Sequence, residues 1–378
     1  MAFELTDRSL LPSPRGRRAP AAILAPGGIE FEDLTVTEHR QVRLSHLHLV
    51  FPPASFGVLT GPSGAGKSTA LRALAGSGSL ASGRVKIGGR DVTDLPVGRR
   101  GIAVITAANP LPLQRRLDEA VAAGLGPLRW PRQADRESAL AALRLVGLSD
   151  LAARPCHALT PEQRLRGMVA RAMIRRPRVL LVDEPFPELP ADAQSAFGEE
   201  LRRLQRMLPG LSLLLATRDR RLALSLADHL ALLADGRLVA RGTPQDLLRR
   251  PPNRLTAAYL GDANLLEVTI AGHADDGLMP VRFGAVHLLA SEHPTLGPGN
   301  RALLSVRPER ICAEPANRTN CLTGQVRGVI RHADGPQIEV TCGEAVIRMT
   351  TTPLQAVPQT GAGVTLCFDP SDAVLVPR

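Results

Sequence analysis

Lysine is almost missing from this sequence. Among 46 basic residues only Lys67 and Lys86 are lysines; the rest are arginines. Aromatic residues make up 3% of the chain, with a single Trp and a single Tyr. Base-stacking surfaces for nucleic acid are built from aromatic rings. The net charge of +10 is also spread along the chain rather than clustered, so a nucleic acid is not an expected partner. No apolar run reaches the ~20 residues that a membrane-spanning helix needs. The five cysteines, Cys156, Cys312, Cys321, Cys342 and Cys367, are scattered without metal-ligand spacing. An odd, scattered set predicts reduced thiols in a cytoplasmic protein. The stretch 1–28 is rich in Pro and Arg, has no apolar signal core, and is expected to be a disordered tail.

One of the two lysines stands in the most informative stretch of the chain. Gly61-Pro62-Ser63-Gly64-Ala65-Gly66-Lys67-Ser68-Thr69 fits G-x-x-x-x-G-K-[ST], a phosphate-binding loop. It follows an apolar strand candidate, 58–60, and opens a helix candidate, 69–74. Glycines let the backbone wrap an anion so that several N–H groups converge on it. The helix N-terminus adds partial positive charge. Lys67 is expected to reach the terminal phosphates of a nucleotide, and the Ser68 hydroxyl to hold Mg²⁺. A compact ammonium fits inside such a loop, whereas a guanidinium is larger and planar. That accounts for a lysine here in a chain so biased toward arginine.

Around this loop the pattern predicts an α/β domain. Residues 29–36 and 42–51 read as strands. Residues 83–90 read as a hairpin turning at Gly88-Gly89. Ile102 to Thr106 is a buried strand, and 114–147 is a mostly helical insert. The run 179–182 is continuously apolar and ends in Asp183-Glu184-Pro185. That is the form of a parallel-sheet strand with chemistry at its carboxyl end. Asp183 is expected to bind Mg²⁺, and Glu184 to polarise an attacking water. Further strands are expected at 211–217 and 230–234, with a helix at 220–227 between them.

Beyond Pro251-Pro252 the texture changes. Alternating segments at 303–306, 324–330, 338–342, 346–349 and 364–368, separated by turn signals such as Asp334-Gly335-Pro336, predict a small all-β domain, barrel-like or sandwich-like. It carries no visible catalytic constellation.

With these residues in view, the chain resembles the ATP-binding subunits of ABC importers that end in a β domain called TOBE. The resemblance runs from about residue 29 to the end. It rests on 61–69, on Gly88-Gly89-Arg90-Asp91-Val92-Thr93, on Arg100-Gly101-Ile102, on 159–172 and on 179–189. Asp228, Asp235-Gly236 and Gly242-Thr243-Pro244 extend it. Residues 261–266 and 306–310 look like the polyamine, ferric-iron and sulfate branch. The resemblance implies an α/β P-loop NTPase of the ABC ATPase type at 29–252, mostly parallel sheet with a helical insert. A small all-β, OB-like TOBE domain at 264–378 would follow. It implies ATP and Mg²⁺ as cofactors, membrane permease subunits as partners, and a solute-binding protein as an indirect one. The chain would work at the cytoplasmic face of the cell membrane as a homodimer, or as a heterodimer with a second ATP-binding subunit. A non-transport regulatory ATP-binding protein built on the same cassette is the alternative.

Several positions depart from the family pattern. Where the family presents L-S-G-G-Q to the partner's ATP, this chain has Leu159-Thr160-Pro161-Glu162-Gln163. Thr160 and Gln163 retain groups that could reach ATP, but Pro161 lacks an N–H and Glu162 adds negative charge. The same residues make a good helix start, with a Thr cap, Pro at the first position and Gln three residues on. The family's Mg²⁺-sensing glutamine aligns with Ala107, and its γ-phosphate histidine with Arg218. The dimer-contact segment, usually ending in aspartate, is Phe186-Pro187-Glu188-Leu189-Pro190. His39 and Phe31 are candidates for stacking on adenine. These departures imply nucleotide binding with slow or partner-dependent hydrolysis.

Overall fold

A computed structural model describes residues 27–126, 133–184, 189–313, 319–332, 335–351 and 357–378. The expected tail falls almost wholly outside these residues, as do most of the segment 185–190 and the start of the Asp334 turn. The chain forms two compact units, one ending at Arg241 and the other running from Gly242 to Arg378.

The first unit is built on two sheets. Strands β1 (Ile29–Glu38), β2 (Gln41–Phe51), β4 (Leu80–Ile87) and β5 (Arg90–Asp91) form an antiparallel sheet ordered β2-β1-β4-β5. The expected hairpin is there. Ile87 pairs with Arg90 across Gly88-Gly89, whose φ angles of 58° and 77° give the double left-handed turn that suits two twisted strands. The second sheet holds β3 (Phe56–Thr60), β6 (Ile102–Thr106), β7 (Val179–Asp183), β8 (Ser212–Thr217), β9 (His229–Ala234) and β10 (Arg237–Gly242). Its order is β10-β9-β3-β8-β7-β6. The pairs among β3, β6, β7, β8 and β9 are parallel. Their unbroken apolar runs follow from burial on both faces, as in β3 and β8, where every residue is buried.

Helix α1 (Lys67–Ala75) lies in the core between the sheets. Its Leu71 and Leu74 join Phe31, Leu34, Leu47, Leu181, Leu214 and Leu233 in one apolar cluster. Gly76 ends it in the left-handed conformation, and the N–H groups of Gly76 and Ser77 close on Arg72 O. The buried Arg100 guanidinium donates to Ala73 O, Leu74 O, Thr93 O and Leu95 O, at 2.7–2.9 Å. It thus satisfies carbonyls that the end of α1 leaves over. The helical insert comprises α2 (Leu117–Ala122), α3 (Gln133–Leu145) and α4 (Pro161–Met173). Helices α5 (Ala191–Met207) and α6 (Arg220–Leu226) flank the parallel sheet.

The second unit begins with α7 (Pro244–Arg249) and α8 (Arg254–Gly261). Strands β11 (Asn264–Ile270), β12 (Leu278–Phe283), β13 (Val286–Ser291), β14 (Arg301–Val306) and β19 (Ala373–Pro377) close a barrel in the order β11-β12-β13-β19-β14. Strands β15 (Asn320–His332), β16 (Gly335–Cys342), β17 (Ala345–Thr350) and β18 (Gly363–Phe368) form a sheet ordered β17-β16-β15-β18. Of the two expectations for this region, the barrel is the one realised, with a sheet beside it. Buried Asn264 and Asn320 tie the two layers. Asn264 exchanges two 2.8 Å hydrogen bonds with the Arg348 backbone, and Asn320 two of 2.7 Å with that of Leu289. Cys321 and Cys367 are directly opposed across β15 and β18 and form a disulfide. This corrects the expectation of five reduced thiols. The pairing depends on the register of two strands 46 residues apart, which cysteine spacing does not carry. Cys156, Cys312 and Cys342 are not joined in disulfides, and the Cys312 thiol lies 3.4 Å from Cys367 O.

Candidate functional site

Parallel register brings the chemistry to one edge. Thr60 pairs with Thr217, and Asp183 with both Thr106 and Ala216, so β3, β6, β7 and β8 all end at the same level. The loop from Gly61 to Gly66 leaves β3 at this edge and returns as α1.

The loop's shape depends on two glycines at positive φ, where a side chain would be strained. Gly61 has φ 143°, and a Cβ there would lie 2.0 Å from Leu233 O. Gly66, with φ 96°, caps α1, and its Cβ would lie 2.6 Å from Leu44 Cδ2. Gly64 differs: φ is 79°, but nothing lies within 4 Å of its Cβ position. Pro62, Ser63 and Gly64 form the exposed rim of the cradle, while Ala65 is buried beneath them.

Lys67 is buried and folds back over the loop. Its Nζ donates to Gly61 O and Pro62 O, each at 2.9 Å. Burial pushes its pKa down; Glu184 and Asp183 pull it up, and Arg218 lowers it further. Ser68 Oγ donates to Asp183 Oδ1 at 2.7 Å. The Thr69 hydroxyl, on the buried side of the helix, accepts from Arg72 at 3.2 Å. Ser68 and Asp183 therefore present two hard oxygens side by side. That donor set suits Mg²⁺, which takes one or two protein oxygens and fills its other positions with phosphate and water.

Glu184 follows at the end of β7 with φ 33°, and its N–H donates to Ala216 O. Its two carboxylate oxygens face two cations. Oε2 lies 3.2 Å from Arg218 Nε, and Oε1 lies 4.0 Å from Lys67 Nζ. Oε1 is buried and accepts no hydrogen bond from the described residues. The partnership of Arg218 with Glu184 was not foreseen. The sequence placed Arg218 at a phosphate-contacting position, and only the folded edge sets it against the carboxylate.

The other site candidates lie elsewhere. Thr160 and Gln163 form the expected capping box on α4. Gln163 N donates to Thr160 Oγ1 at 3.2 Å, and Thr160 N to Gln163 Oε1 at 3.0 Å, with Pro161 at the first helical position. Both side chains are engaged with each other's backbone in the single chain. Ala107 sits exposed on the turn after β6. Pro190 directly precedes α5. Phe31 is fully buried in the apolar cluster that also holds Leu71 and Leu74, and so cannot stack on adenine. His39 lies in the β1–β2 turn at φ 50°.

Comparison with known proteins identifies the family. Residues 44–187 match the ABC transporter family. A Salmonella typhimurium protein provisionally named the 2-aminoethylphosphonate import ATP-binding protein PhnT is 38% identical over 369 residues. The match covers 95% of this chain and 97% of that protein. The Fe(3+) ions import ATP-binding protein FbpC of Brucella abortus is 33% identical over 293 residues, covering 77% of this chain and 82% of its own. Among solved structures, cbiO1 of Clostridium perfringens, part of the transporter complex cbiONQ, superposes with a TM-score of 0.53 at 22% identity. That match covers 58% of this chain and 89% of cbiO1. Another ATP-binding cassette of an ABC transporter, in its ADP conformation, gives 0.54 at 21% identity over 60% of this chain and 96% of its own. These two establish the fold of the first unit. With nearly full-length similarity to import subunits added to the phosphate cradle and its acids, the chain belongs to the ATP-binding subunits of ABC importers, ATPases whose hydrolysis is coupled to transport.

Proposed function

We propose that this chain binds MgATP at the edge formed by Gly61 to Thr69, Asp183 and Glu184, and that it hydrolyses the nucleotide slowly unless a partner completes the site. The observation that carries the reading is the meeting of Lys67, Ser68, Asp183 and Glu184 at one sheet edge. Lys67 exchanges the carbonyls of Gly61 and Pro62 for the terminal phosphates, which its single compact charge suits. Ser68 and Asp183 would hold Mg²⁺, which would neutralise charge developing on the phosphates. Glu184 orients the attacking water.

The slow rate follows from the second half of the site. In a dimer, ATP bound to one copy would face the start of α4 of the other. Here Pro161 offers no N–H, Gln163 N–H is already taken by Thr160, and Glu162 faces phosphate with like charge. A heterodimer with a second ATP-binding subunit that carries an intact signature would repair one of two sites. The energy is used by membrane-embedded permease subunits at the cytoplasmic face, served indirectly by a solute-binding protein. The second unit is a TOBE-type regulatory domain. The similarity to the 2-aminoethylphosphonate protein favours an organophosphonate cargo over ferric iron, polyamine or sulfate.

A non-transport role is supported by one observation. Ala107, at the position through which the family couples to its permease, carries no group able to ligate or hydrogen-bond.

Calorimetry with MgATP and phosphate release by the purified chain, with Glu184→Gln as control, test the site. Expected are binding below millimolar ligand and slow release that the substitution removes. Turnover at ordinary transporter rates from the single chain would overturn the impairment, and absence of binding at millimolar MgATP would overturn the whole reading. Co-purification with a permease decides between transport and the regulatory alternative.

A further inference from the structure

The Glu184 carboxylate is held from two directions by cations on different elements: Lys67 at the start of α1, and Arg218 just beyond β8. Glu184 itself is one-third exposed and sits in the left-handed backbone region, where a non-glycine residue is strained. Arg218, at 63% exposure, is the most exposed member of this trio, on a loop between β8 and the Asp219 cap of α6. A guanidinium binds carboxylate and phosphate with the same donor geometry. The two acceptors it would meet here are Glu184 and the terminal phosphate of a nucleotide held by Lys67, whose Nζ lies 4.0 Å from Glu184 Oε1.

We infer that Arg218 is a positioning residue that exchanges one anion for the other. With its Nε 3.2 Å from Glu184 Oε2, Arg218 competes with water for that oxygen. When a triphosphate enters, its terminal phosphoryl group carries more charge than the carboxylate and draws Arg218 away, and Glu184 is released for the water. No bond is made or broken in this exchange. This inference rests on the cradle being a nucleotide site.

The consequence is a coupling between residues 184 and 218 that only a triphosphate senses. Binding of the magnesium complex of a non-hydrolysable ATP analogue, and separately of ADP, is measured by calorimetry for the full-length chain, E184Q, R218A and the double variant. E184Q removes the partner that competes for Arg218. Its gain in affinity for the ATP analogue is expected to be at least about threefold larger with Arg218 present than in the R218A background. For ADP the two gains are expected to match within twofold. An equal or smaller gain with Arg218 present, which simple charge repulsion between Glu184 and phosphate would give, overturns the exchange. Retained ADP binding by R218A shows that the variant is folded; if it is lost, R218M, which keeps an unbranched stem, takes its place. Failure of the unsubstituted chain to bind either nucleotide overturns the nucleotide-site reading, and the exchange falls with it. ADP binding without the coupling overturns the exchange alone.

Discussion

Ser68 Oγ donates a 2.7 Å hydrogen bond to Asp183 Oδ1 across 115 residues of sequence. The bond exists because α1 starts where β3 ends, and β7 ends at the same level two strands away. If this pair holds the metal of the nucleotide complex, removing Mg²⁺ and removing the carboxylate should act on one term. For the unsubstituted chain, chelation should weaken ATP binding about tenfold, ~1.4 kcal/mol. For Asp183→Asn, binding should already be weak, and chelation should change it by less than about threefold. Equilibrium dialysis with and without chelator gives both ratios. A full tenfold metal response in Asp183→Asn would place the metal on other groups.

The glycines of the cradle are not equivalent, and substitution should separate them. At Gly61 a methyl group would overlap Leu233 O at 2.0 Å, backbone against backbone, with no flexible side chain to yield. Gly61→Ala should therefore fail to fold or lose nucleotide binding altogether. At Gly64 a methyl group meets nothing, so Gly64→Ala bears only the cost of a left-handed alanine, about 1–2 kcal/mol. It should fold and keep measurable nucleotide affinity. Circular dichroism and calorimetry on both variants check the contrast. Equal behaviour of the two would show that the loop is not held as described.

The parts of this structure that were legible in the sequence are those set by neighbours in the chain. Gly88-Gly89 between apolar alternations specifies its own hairpin, and Thr160, Pro161 and Gln163 specify the start of α4 by local hydrogen bonding alone. The phosphate loop is legible for the same reason, since strand, glycines and helix follow within a few residues. What was not legible depends on register between distant segments. The return of β19 to lie between β13 and β14, the Cys321–Cys367 disulfide, and the Arg218–Glu184 pair each require two strand ends to be aligned by the whole sheet. Phe31 shows the limit in another way. Its aromatic character suited a nucleotide contact, but alternation along β1 turns it into the core.

Arg100 is a second case, where the sequence offered only a basic residue before a strand. Buried, it donates to four carbonyls: two from the end of α1 and two from Thr93 and Leu95. Burial pushes its pKa down, with Asp94 and Asp91 acting in the other direction. Arg100→Met would leave buried carbonyls without this donor, at a cost of about 3 kcal/mol. That corresponds to roughly 6–12 °C in the melting temperature of a unit of this size. Arg100→Lys should recover less than half of that loss, because one ammonium cannot span the fork of positions a guanidinium reaches. Differential scanning calorimetry measures both. A lysine variant as stable as the parent would show that charge, not geometry, is what the site needs.

Asp228 gives the stability of the first unit a defined response to acid. It stands at the start of β9, accepts from Phe56 N–H at 2.8 Å, and is gripped through both oxygens by the Arg202 guanidinium on α5, which also lies 5.5 Å above the Phe56 ring. Burial alone would raise its pKa, but the Arg202 and Phe56 hydrogen bonds and the Arg202 and His229 charges outweigh it and hold the carboxyl below its ordinary value. The folded chain thus binds this proton less readily than the unfolded chain. The ion pair therefore stabilises the fold fully above the unfolded carboxylate value of about 3.9, and the contribution is lost as pH falls through the lower folded value. The side chain is about a third exposed, so solvent screening reduces the contribution to about 1 kcal/mol. Asp228→Asn should accordingly melt about 2–4 °C lower at pH 7. The deficit should persist at pH 5 and shrink below about pH 4, where the unfolded parent takes up a proton that the folded parent still refuses. Parallel melts of parent and variant at these pH values test the argument. A deficit that grows on acidification would mean that Asp228 is already protonated in the fold, and that Arg202 is held by something else.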